Sequence, residues 1–279
     1  MMNYHSALLT EASILNSIAI SYANHNEHSQ ALECYKKALD IRETILGNEH
    51  PDTAAIYNGI AIVYYQQYEY QQALDWFVKA LHVRERVLDK NHPDIAITCN
   101  YIGHICHANC YYQEAREWYE KTLIVLGKSD SEPGTGPPLL VEIYNNLAAV
   151  YANLGEYDRA LDWCRKALAE NIGEDRRDNT ITYNNMAGAY AEMGEHDLAL
   201  AWYQKAVNII EKDFSQANQD NAILYINMAA ICERENKHDK ELECYRKALA
   251  ILEKVHDAEH PQIVLIRDSI RRLDGSNLH

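Results

Sequence analysis

A cluster of thiols and imidazoles is the part of this sequence with the clearest potential for chemistry. It comprises Cys99, His104, Cys106, His107 and Cys110. Cys106 and Cys110 are four residues apart, a spacing that places two thiols on one side of a helix, as a zinc site would need. However, corresponding segments of the chain carry tyrosine in place of Cys99 and Cys106 and glycine in place of Cys110. We therefore interpret these thiols as core and turn residues, and we expect no metal site.

Other residue patterns associated with catalysis give no support for an enzyme. The chain has no glycine-rich phosphate loop, nucleophile elbow or metalloprotease histidine pair. Acidic and basic residues alternate on the predicted helices, as in Arg84-Glu85-Arg86, which is typical of a solvated face. All four tryptophans share one repeat position, which predicts structural packing: Trp76, Trp118, Trp163 and Trp202. We predict a protein without catalytic activity and without a cofactor.

Composition and charge restrict the partners and the compartment. The chain has 41 acidic and 26 basic residues, a formal charge of −15 that repels nucleic-acid phosphates and anionic lipids. No apolar run reaches the roughly 18 residues of a membrane span, and Met1 to Thr10 lacks the basic residues of a signal peptide. The seven cysteines, an odd number without a disulfide framework, favour a reducing compartment. We expect a cytoplasmic protein that binds neither nucleic acid nor membrane.

A repeated pattern dominates the chain. One small residue recurs at spacings of 42, 42, 45, 39 and 42 residues, giving Ala31, Ala73, Ala115, Ala160, Ala199 and then Glu241. Two further columns, meaning residues at the same position of successive repeats, are also small. They are Ala19, Ala61, Gly103, Ala148, Ala187 and Ala229, and Ala38, Ala80, Thr122, Ala167, Ala206 and Ala248. Large residues such as Tyr35 and Phe77 fill the columns between them. Each unit is predicted to be an amphipathic helical hairpin that must stack on its neighbours to bury its apolar face.

These columns resemble the tetratricopeptide repeat, and the 42-residue form is similar to the repeats of kinesin light chains and their bacterial relatives. His-Pro-Asp occurs at His50 and His92 and marks helix starts, so we interpret these histidines as structural. No coiled-coil heptads precede the repeats, so the chain does not resemble an intact kinesin light chain. The resemblance implies an all-α protein, a right-handed α-solenoid of six helix-turn-helix repeats with a C-terminal capping helix.

The predicted organisation is a single solenoid domain over residues 1–279. The repeats are expected at about 12–50, 51–92, 93–136, 137–178, 179–218 and 219–259, with a capping helix and tail at 260–279. The cap is predicted because Arg271 stands where a seventh repeat would need a small residue. Residues 127–138, rich in proline and glycine, are predicted to form a loop that is either a hinge or a tolerated insertion.

A column of asparagines is the best candidate for a binding site. It contains Asn16, Asn58, Asn100, Asn145 and Asn184, and the adjacent column adds Tyr101, Asn146, Asn185 and Asn227. Asparagine is a mediocre helix former, so this recurrence suggests a use. A carboxamide both donates and accepts, and it can therefore bracket the main chain of an extended peptide. In the resembling repeats such a ladder is associated with peptide binding. The alternative is that these side chains hydrogen-bond one repeat to the next, and both uses can coexist.

The sequence therefore predicts a scaffold that binds a protein or peptide in a concave groove. The predicted groove also includes Tyr65 and His104 and holds almost no Lys or Arg, so we expect a neutral or basic peptide. Two alternatives stay open at this point. One is a regulatory sensor that changes its superhelical pitch on binding a signalling peptide. The other is a structural protein that self-associates, and the oligomeric state is not predicted.

Overall fold

The computed structural model describes residues 2–127, 138–171, 179–212, 219–257 and 259–276, and within these ranges all regular secondary structure is helical. The chain separates into two compact units, Met1–Asp130 and Ser131–His279. Unit 1 contains α1 (Met2–Asn24), α2 (His28–Leu46), α3 (Pro51–Gln66), α4 (Tyr70–Val87), α5 (Pro93–Ala108) and α6 (Tyr112–Leu126). Unit 2 contains α7 (Pro138–Asn153), α8 (Tyr157–Glu170), α9 (Asn179–Glu192), α10 (His196–Lys212), α11 (Gln219–Arg234), α12 (His238–Leu252) and α13 (Pro261–Ser276).

Within each unit the helices form a repeat solenoid, as the sequence predicted. Consecutive helices pair as hairpins, α1 with α2 through α11 with α12. The second helix of a hairpin then packs on the first helix of the next, as α2 does on α3, α4 on α5 and α8 on α9. The division into repeats at the predicted boundaries and the single continuous domain remain predictions. Helix α1 begins at Met2, well before the predicted start of the first repeat at about residue 12.

The small columns lie in the buried core. Ala19, Ala61, Ala148, Ala187 and Ala229 are all fully buried, and so is every member of the column from Ala38 to Ala248. Tyr35, Phe77 and Tyr119 fill the space between these columns and are at most 3% exposed. The predicted alternation of small and large residues is confirmed, and it defines the core of each hairpin.

The turn inside every hairpin uses one left-handed residue. The backbone φ is positive at Asn26 (60°), Tyr68 (61°), Cys110 (62°), Gly155 (76°), Gly194 (80°) and Asn236 (55°), which all occupy one column. Glycine and asparagine accept this conformation readily, whereas it is unfavourable for a bulky side chain. Tyr68 is therefore a strained residue, and it is also 78% exposed. Cys110 takes this position as a turn residue, in agreement with its interpretation from the sequence.

The His-Pro-Asp segments start helices in the expected way. Pro51 and Pro93 are the first residues of α3 and α5. The Nδ1 atoms of His50 and His92 accept hydrogen bonds of 3.1 Å from the backbone amides of Asp52 and Asp94. Each histidine thus acts as an N-cap, because its ring nitrogen satisfies an amide that has no partner within the helix. The structural interpretation of these histidines is confirmed.

The C-terminal segment forms α13, which packs on α12. Ile263 and Ile266 face the core and are buried, whereas Arg271 and Arg272 are exposed. This is the pattern expected of a capping helix. Most of the loop predicted at 127–138 lies outside the described residues.

Candidate functional site

Asn58, the second residue of the predicted asparagine column, is a structural residue of unit 1. Its Oδ1 accepts hydrogen bonds from Arg84 Nη1 of α4 at 3.0 Å and from Thr98 Oγ1 of α5 at 3.2 Å. The same Arg84 nitrogen donates to the Asp94 carbonyl at 2.9 Å. Asn58 is 7% exposed, so its carboxamide joins three helices instead of facing a groove.

Arg84 is the centre of this network, contrary to its interpretation as part of a solvated face. Only 5% of Arg84 is exposed, whereas its neighbours Glu85 and Arg86 are exposed. Burial lowers the pKa of the Arg84 guanidinium, and the Asp94 carboxylate, 3.4 Å away, partly offsets this effect. Arg42 is equivalent in the preceding repeat, where it donates to the Asp52 carbonyl at 2.6 Å and to Ser13 Oγ at 3.2 Å.

Unit 2 repeats the buried arrangement once. Thr182 Oγ1 of α9 donates to Asn145 Oδ1 of α7 at 2.8 Å, and Thr182 and Thr98 occupy the same column. Asn145 is 6% exposed, and Asn100 is 4% exposed. Asn58, Asn100 and Asn145 are therefore buried, and the peptide-binding role predicted for them stays a prediction that their burial does not favour. For Asn58 and Asn145 the alternative interpretation, a hydrogen bond between repeats, is confirmed.

The remaining asparagines are more accessible. Asn16 and Asn146 are half-buried on α1 and α7, and Asn184, Asn185 and Asn227 are half-buried on α9 and α11. Asn185 Nδ2 donates to the Asn145 carbonyl at 3.0 Å, while Asn227 Nδ2 donates to Asn184 Oδ1 at 3.4 Å. The second hydrogen bond is long and therefore weak. The three residues on α9 and α11 form a carboxamide cluster on one side of unit 2.

This cluster lines an open cavity of about 430 Å³ within unit 2, here called the unit 2 groove. The groove exists because one column holds only small residues in unit 2. This column lies between the asparagines and the C-terminal ends of the helices. The column consists of Ala149, Gly188 and Ala230, and Ala152 and Ala191 lie beside it. A Cβ atom added to Gly188 would meet no atom within 4 Å, so the space above this glycine is empty.

Polar groups surround the unit 2 groove without giving it a strong charge. Glu192 Oε1 and Arg234 Nη2 are 3.8 Å apart, with both side chains about half exposed. Tyr203 also lines the groove and is 4% exposed. Burial raises the pKa of Tyr203 to about 12, and a hydrogen bond from the Asn227 side chain acts in the opposite direction. The groove therefore has neutral donors and acceptors along its sides and one ion pair of opposite charges.

In the third repeat of unit 1 two of these columns hold large side chains. His104 stands in the column of Gly188, and Tyr101 stands in the column of Asn185. The ring centroids of Tyr65 and Tyr101 are 5.6 Å apart, and those of Tyr65 and His104 are 6.3 Å apart. Tyr101 also stacks on the buried Phe77 at 5.1 Å. The predicted residues Tyr65, Tyr101 and His104 therefore do come together, as a packed and half-buried aromatic cluster.

The tryptophans and Cys99, which the sequence assigned to packing, lie in packed surroundings. Trp76, Trp163 and Trp202 lie with ring centroids 5.4 to 5.6 Å from Tyr57, Tyr144 and Tyr183, respectively. Burial raises the pKa of the Cys99 thiol to about 11. Within the described ranges, no three His, Cys, Asp or Glu side chains gather as a metal site would require. No helix in those ranges is long and apolar enough to cross a bilayer.

Sequence reasoning did not single out Gly188. A glycine inside a helix is unfavourable by roughly 0.5–1 kcal/mol relative to alanine. At Gly103 packing explains the choice, because an added Cβ would approach the Tyr119 ring to 2.6 Å. No such contact accounts for Gly188. The available signal was the column itself, which changes from isoleucine and histidine in unit 1 to alanine and glycine in unit 2.

Comparison with known families agrees with the repeat geometry. The tetratricopeptide repeat profile matches residues 10–86, 67–124, 139–212 and 178–254, well over half of the chain. The chain belongs to the tetratricopeptide repeat family. Proteins built from this repeat are generally scaffolds for protein–protein interactions and are generally not catalytic.

Solved structures show the same fold at low sequence identity. The kinesin light chain TPR-like repeats of Podosopora anserina are 18% identical, with a TM-score of 0.63 over 75% of this chain and 98% of that chain. BtubC (BKLC) from P. vanneervenii is 18% identical, with a TM-score of 0.62 over 91% and 93% of the two chains. The Rap conjugation gene regulator of plasmid pLS20, solved with the Phr* peptide, is 17% identical, with a TM-score of 0.59 over 98% and 78%.

These three structures share the fold of this chain, and they include kinesin light chain-like and bacterial tetratricopeptide repeat proteins. A comparison with curated protein sequences found no significant match.

Proposed function

We propose that this protein is an interaction scaffold that binds an extended peptide segment of a partner in the unit 2 groove. The observation that carries the proposal is the combination of Asn184, Asn185 and Asn227 with the open floor at Gly188. Asn16 and Asn146 are accessible members of the same two columns, and Tyr65, Tyr101 and His104 provide an aromatic surface in unit 1.

The carboxamides suit recognition of a main chain. Asn227 donates to Asn184 Oδ1 across 3.4 Å, and an incoming peptide amide or carbonyl can replace this weak hydrogen bond at little cost. The Asn185 amide donates one hydrogen bond to the Asn145 carbonyl, which holds the Asn185 side chain in place. A carboxamide fixed in this way and set beside a cavity is pre-organised, so less conformational entropy is lost on binding.

The shape of the groove at Gly188 supports the same proposal. Glycine removes the side chain that would otherwise occupy the centre of the groove, and it lets a second main chain approach the helix closely. The flanking Ala149 and Ala230 extend the small surface across α7, α9 and α11. The cost of a helical glycine is explained if a peptide uses the vacated space.

The charge of the groove favours a neutral or basic peptide. The Glu192–Arg234 pair balances itself, and the chain as a whole carries a formal charge of −15. An acidic segment would be repelled over long distances, whereas a basic one would be attracted at low salt. In line with this proposal, the structurally similar Rap regulator was solved in complex with a peptide. We place the protein in the cytoplasm, where its seven cysteines would remain free thiols.

The test uses a phage-displayed library of random linear peptides, selected on the purified chain at low salt. Affinities of the selected peptides are then measured for the wild type and for Gly188→Leu, whose Cβ meets no atom within 4 Å and whose side chain projects into the groove. We expect Gly188→Leu to weaken binding at least tenfold, and Asn185→Ala combined with Asn227→Ala to weaken it about as much.

Asn208→Ala is the matched control, because Asn208 is an exposed carboxamide of α10 that bonds only to Gln204 among the described residues. It should leave affinity unchanged. Selected peptides that bind Gly188→Leu as tightly as the wild type would disprove the assignment of this groove, and a selection that yields no binder would count against peptide recognition itself.

The sensor alternative shares the groove but requires a change of shape. Small-angle scattering of the wild type with and without a selected peptide separates the two functions. A change in radius of gyration that is absent in Gly188→Leu would establish a sensor, whereas an unchanged radius is expected of a scaffold.

A further inference from the structure

Two isoleucines of unit 2 are exposed beside the groove. Ile181 of α9 is 60% exposed, and Ile223 of α11 is 37% exposed. They occupy one column, seven residues before Gly188 and Ala230, respectively. Seven residues turn a helix through about 700°, so each isoleucine points within about 20° of the direction of the small residue that follows it. These two residues, here called the isoleucine pair, therefore extend the face of α9 and α11 that lines the groove.

The carboxamide cluster lies between the isoleucine pair and the small residues of the groove. Asn185 is four residues after Ile181 and three before Gly188, which correspond to about 6 Å and about 4.5 Å along the helix axis. The Asn227 side chain of α11 donates to Asn184 Oδ1 of α9 at 3.4 Å, so the cluster crosses from one helix to the next. A main chain bound to these carboxamides therefore runs across the helices, with the isoleucine pair on one side and the small residues on the other.

The orientation of the bound main chain decides where its side chains point. In an extended segment the N–H and C=O groups lie along the edges of the chain, whereas successive side chains point alternately to its two faces. When one edge of the peptide bonds to the carboxamide cluster, one set of side chains points toward the isoleucine pair. The other set points toward the space above Gly188, where an added Cβ would meet no atom within 4 Å.

The chemistry around the isoleucine pair decides which side chain it accepts. Neither residues 179–183 nor residues 221–225 include a charged residue. A charged side chain placed over these segments would lose water without gaining a counter-ion from either of them, which is unfavourable. An aliphatic or aromatic side chain would instead remove apolar surface of both partners from water, which is favourable. On α7 the same column holds Glu142, so the apolar surface is limited to α9 and α11.

We infer that the peptide segment bound in the unit 2 groove carries a branched aliphatic or aromatic side chain that packs on the isoleucine pair. This specificity rests on the proposed function, because it is a property of the peptide that the groove binds. The carboxamides recognise a main chain whatever its sequence, whereas the isoleucine pair selects among sequences. The residues on either side of the apolar one direct their side chains into the space above Gly188.

The test measures the affinity of peptides, selected on the wild type from the random library, for Ile181→Thr combined with Ile223→Thr. Threonine keeps the branch at Cβ and removes most of the apolar surface. We expect the double variant to bind these peptides about tenfold more weakly. Ile97→Thr is the matched control, because Ile97 occupies the same column in unit 1 and is 37% exposed, as Ile223 is. It should leave the affinity unchanged.

Two further readouts use the peptide and the wild-type protein. The selected sequences should be enriched in Leu, Ile, Val or Phe at one fixed position, and replacement of that residue by Asp should weaken binding to the wild type at least tenfold. Calorimetry should give a more negative heat capacity of binding for the wild type than for the double threonine variant, because less apolar surface is buried in the variant. The peptide substitution decides the outcome if the double variant is less stable.

The outcomes separate this specificity from the groove itself. Peptides that are weakened by Gly188→Leu but bind the double threonine variant as tightly as the wild type, or that tolerate Asp at every position, would overturn the role of the isoleucine pair and leave the groove standing. Peptides that bind Gly188→Leu as tightly as the wild type, or a selection without binders, would refute the groove and the isoleucine pair together.

Discussion

The two units use the same repeat positions in different ways. In unit 1 three of the positions that could line a groove hold Tyr65, Tyr101 and His104, whose ring centroids lie 5.6 to 6.3 Å apart. In unit 2 the corresponding positions include Asn185 and Gly188, and a cavity of about 430 Å³ remains open. The backbone pattern is shared, so the difference comes from side-chain volume in the three columns that hold Tyr65, Tyr101 and His104.

This comparison shows that a repeated residue type need not have a repeated function. Asn58 and Asn145 lie in the same column as Asn184, yet the first two accept hydrogen bonds from threonines of the next repeat. Asn184 has no such donor, because Leu224 takes the place of the threonine. For Asn58, Asn145 and Asn184, the structural or accessible state thus follows the residue about 40 positions later in the chain.

The largest expected effect is the difference in stability between variants of Asn58, which is buried in unit 1, and of Asn185, which is accessible in unit 2. Asn58→Ala removes the acceptor for the buried Arg84 guanidinium and should lower the free energy of unfolding by about 3 kcal/mol. Asn185→Ala should lower it by only about 0.5–1 kcal/mol, because this half-exposed side chain loses one hydrogen bond, to the Asn145 carbonyl. Urea denaturation followed by circular dichroism measures both. Equal losses in the two variants would remove the distinction between the units.

A pair of glycine substitutions tests the packing difference directly. In Gly59→Ala the new Cβ would lie 2.5 Å from the buried Tyr35 ring, so we expect a loss of about 2 kcal/mol. In Gly188→Ala the new Cβ meets empty space, and the better helix propensity of alanine should add about 0.5–1 kcal/mol. Thermal unfolding should move in opposite directions. A destabilised Gly188→Ala would show that its space is needed by the fold.

The N-cap of α5, in unit 1, provides a smaller effect. His92→Ala removes the acceptor for the Asp94 amide and should cost about 1 kcal/mol. His82→Ala on the exposed face of α4 is the matched control and should cost less than about 0.5 kcal/mol. Chemical denaturation can resolve the difference. If both substitutions have the same effect, His92 does not act through the cap.

The smallest predicted change is a gain of stability at a turn of unit 1. Tyr68 has a φ of 61°, and Tyr68→Asn supplies the residue found at this turn position in Asn26 and Asn236. We expect about 0.5 kcal/mol of stabilisation, because asparagine tolerates the left-handed region better than tyrosine. Tyr111→Asn is the control at another exposed turn tyrosine, whose φ of −84° is ordinary. A gain for both variants would point to a general effect of surface polarity.

The sequence was sufficient for the features that recur in every repeat. Small and large columns predicted the hairpins, and Pro51 and Pro93 predicted two helix starts. Features that depend on contacts between repeats were not predictable. Arg84 appeared to belong to a solvated face because its neighbours are charged, and only the stacked structure shows that it reaches Asn58 and Thr98. Likewise, the periodicity of the asparagines gave their spacing but not their burial.

Exchange of the asparagine side-chain amide protons, followed by NMR, tests the division of the asparagine column most directly. We predict slow exchange at Asn58, Asn100 and Asn145, and fast exchange at Asn184, Asn185 and Asn227, whose resonances alone should shift when a selected peptide is added. Fast exchange at Asn58, or peptide-induced shifts at Asn58 and Asn100 comparable to those at Asn185, would contradict the account.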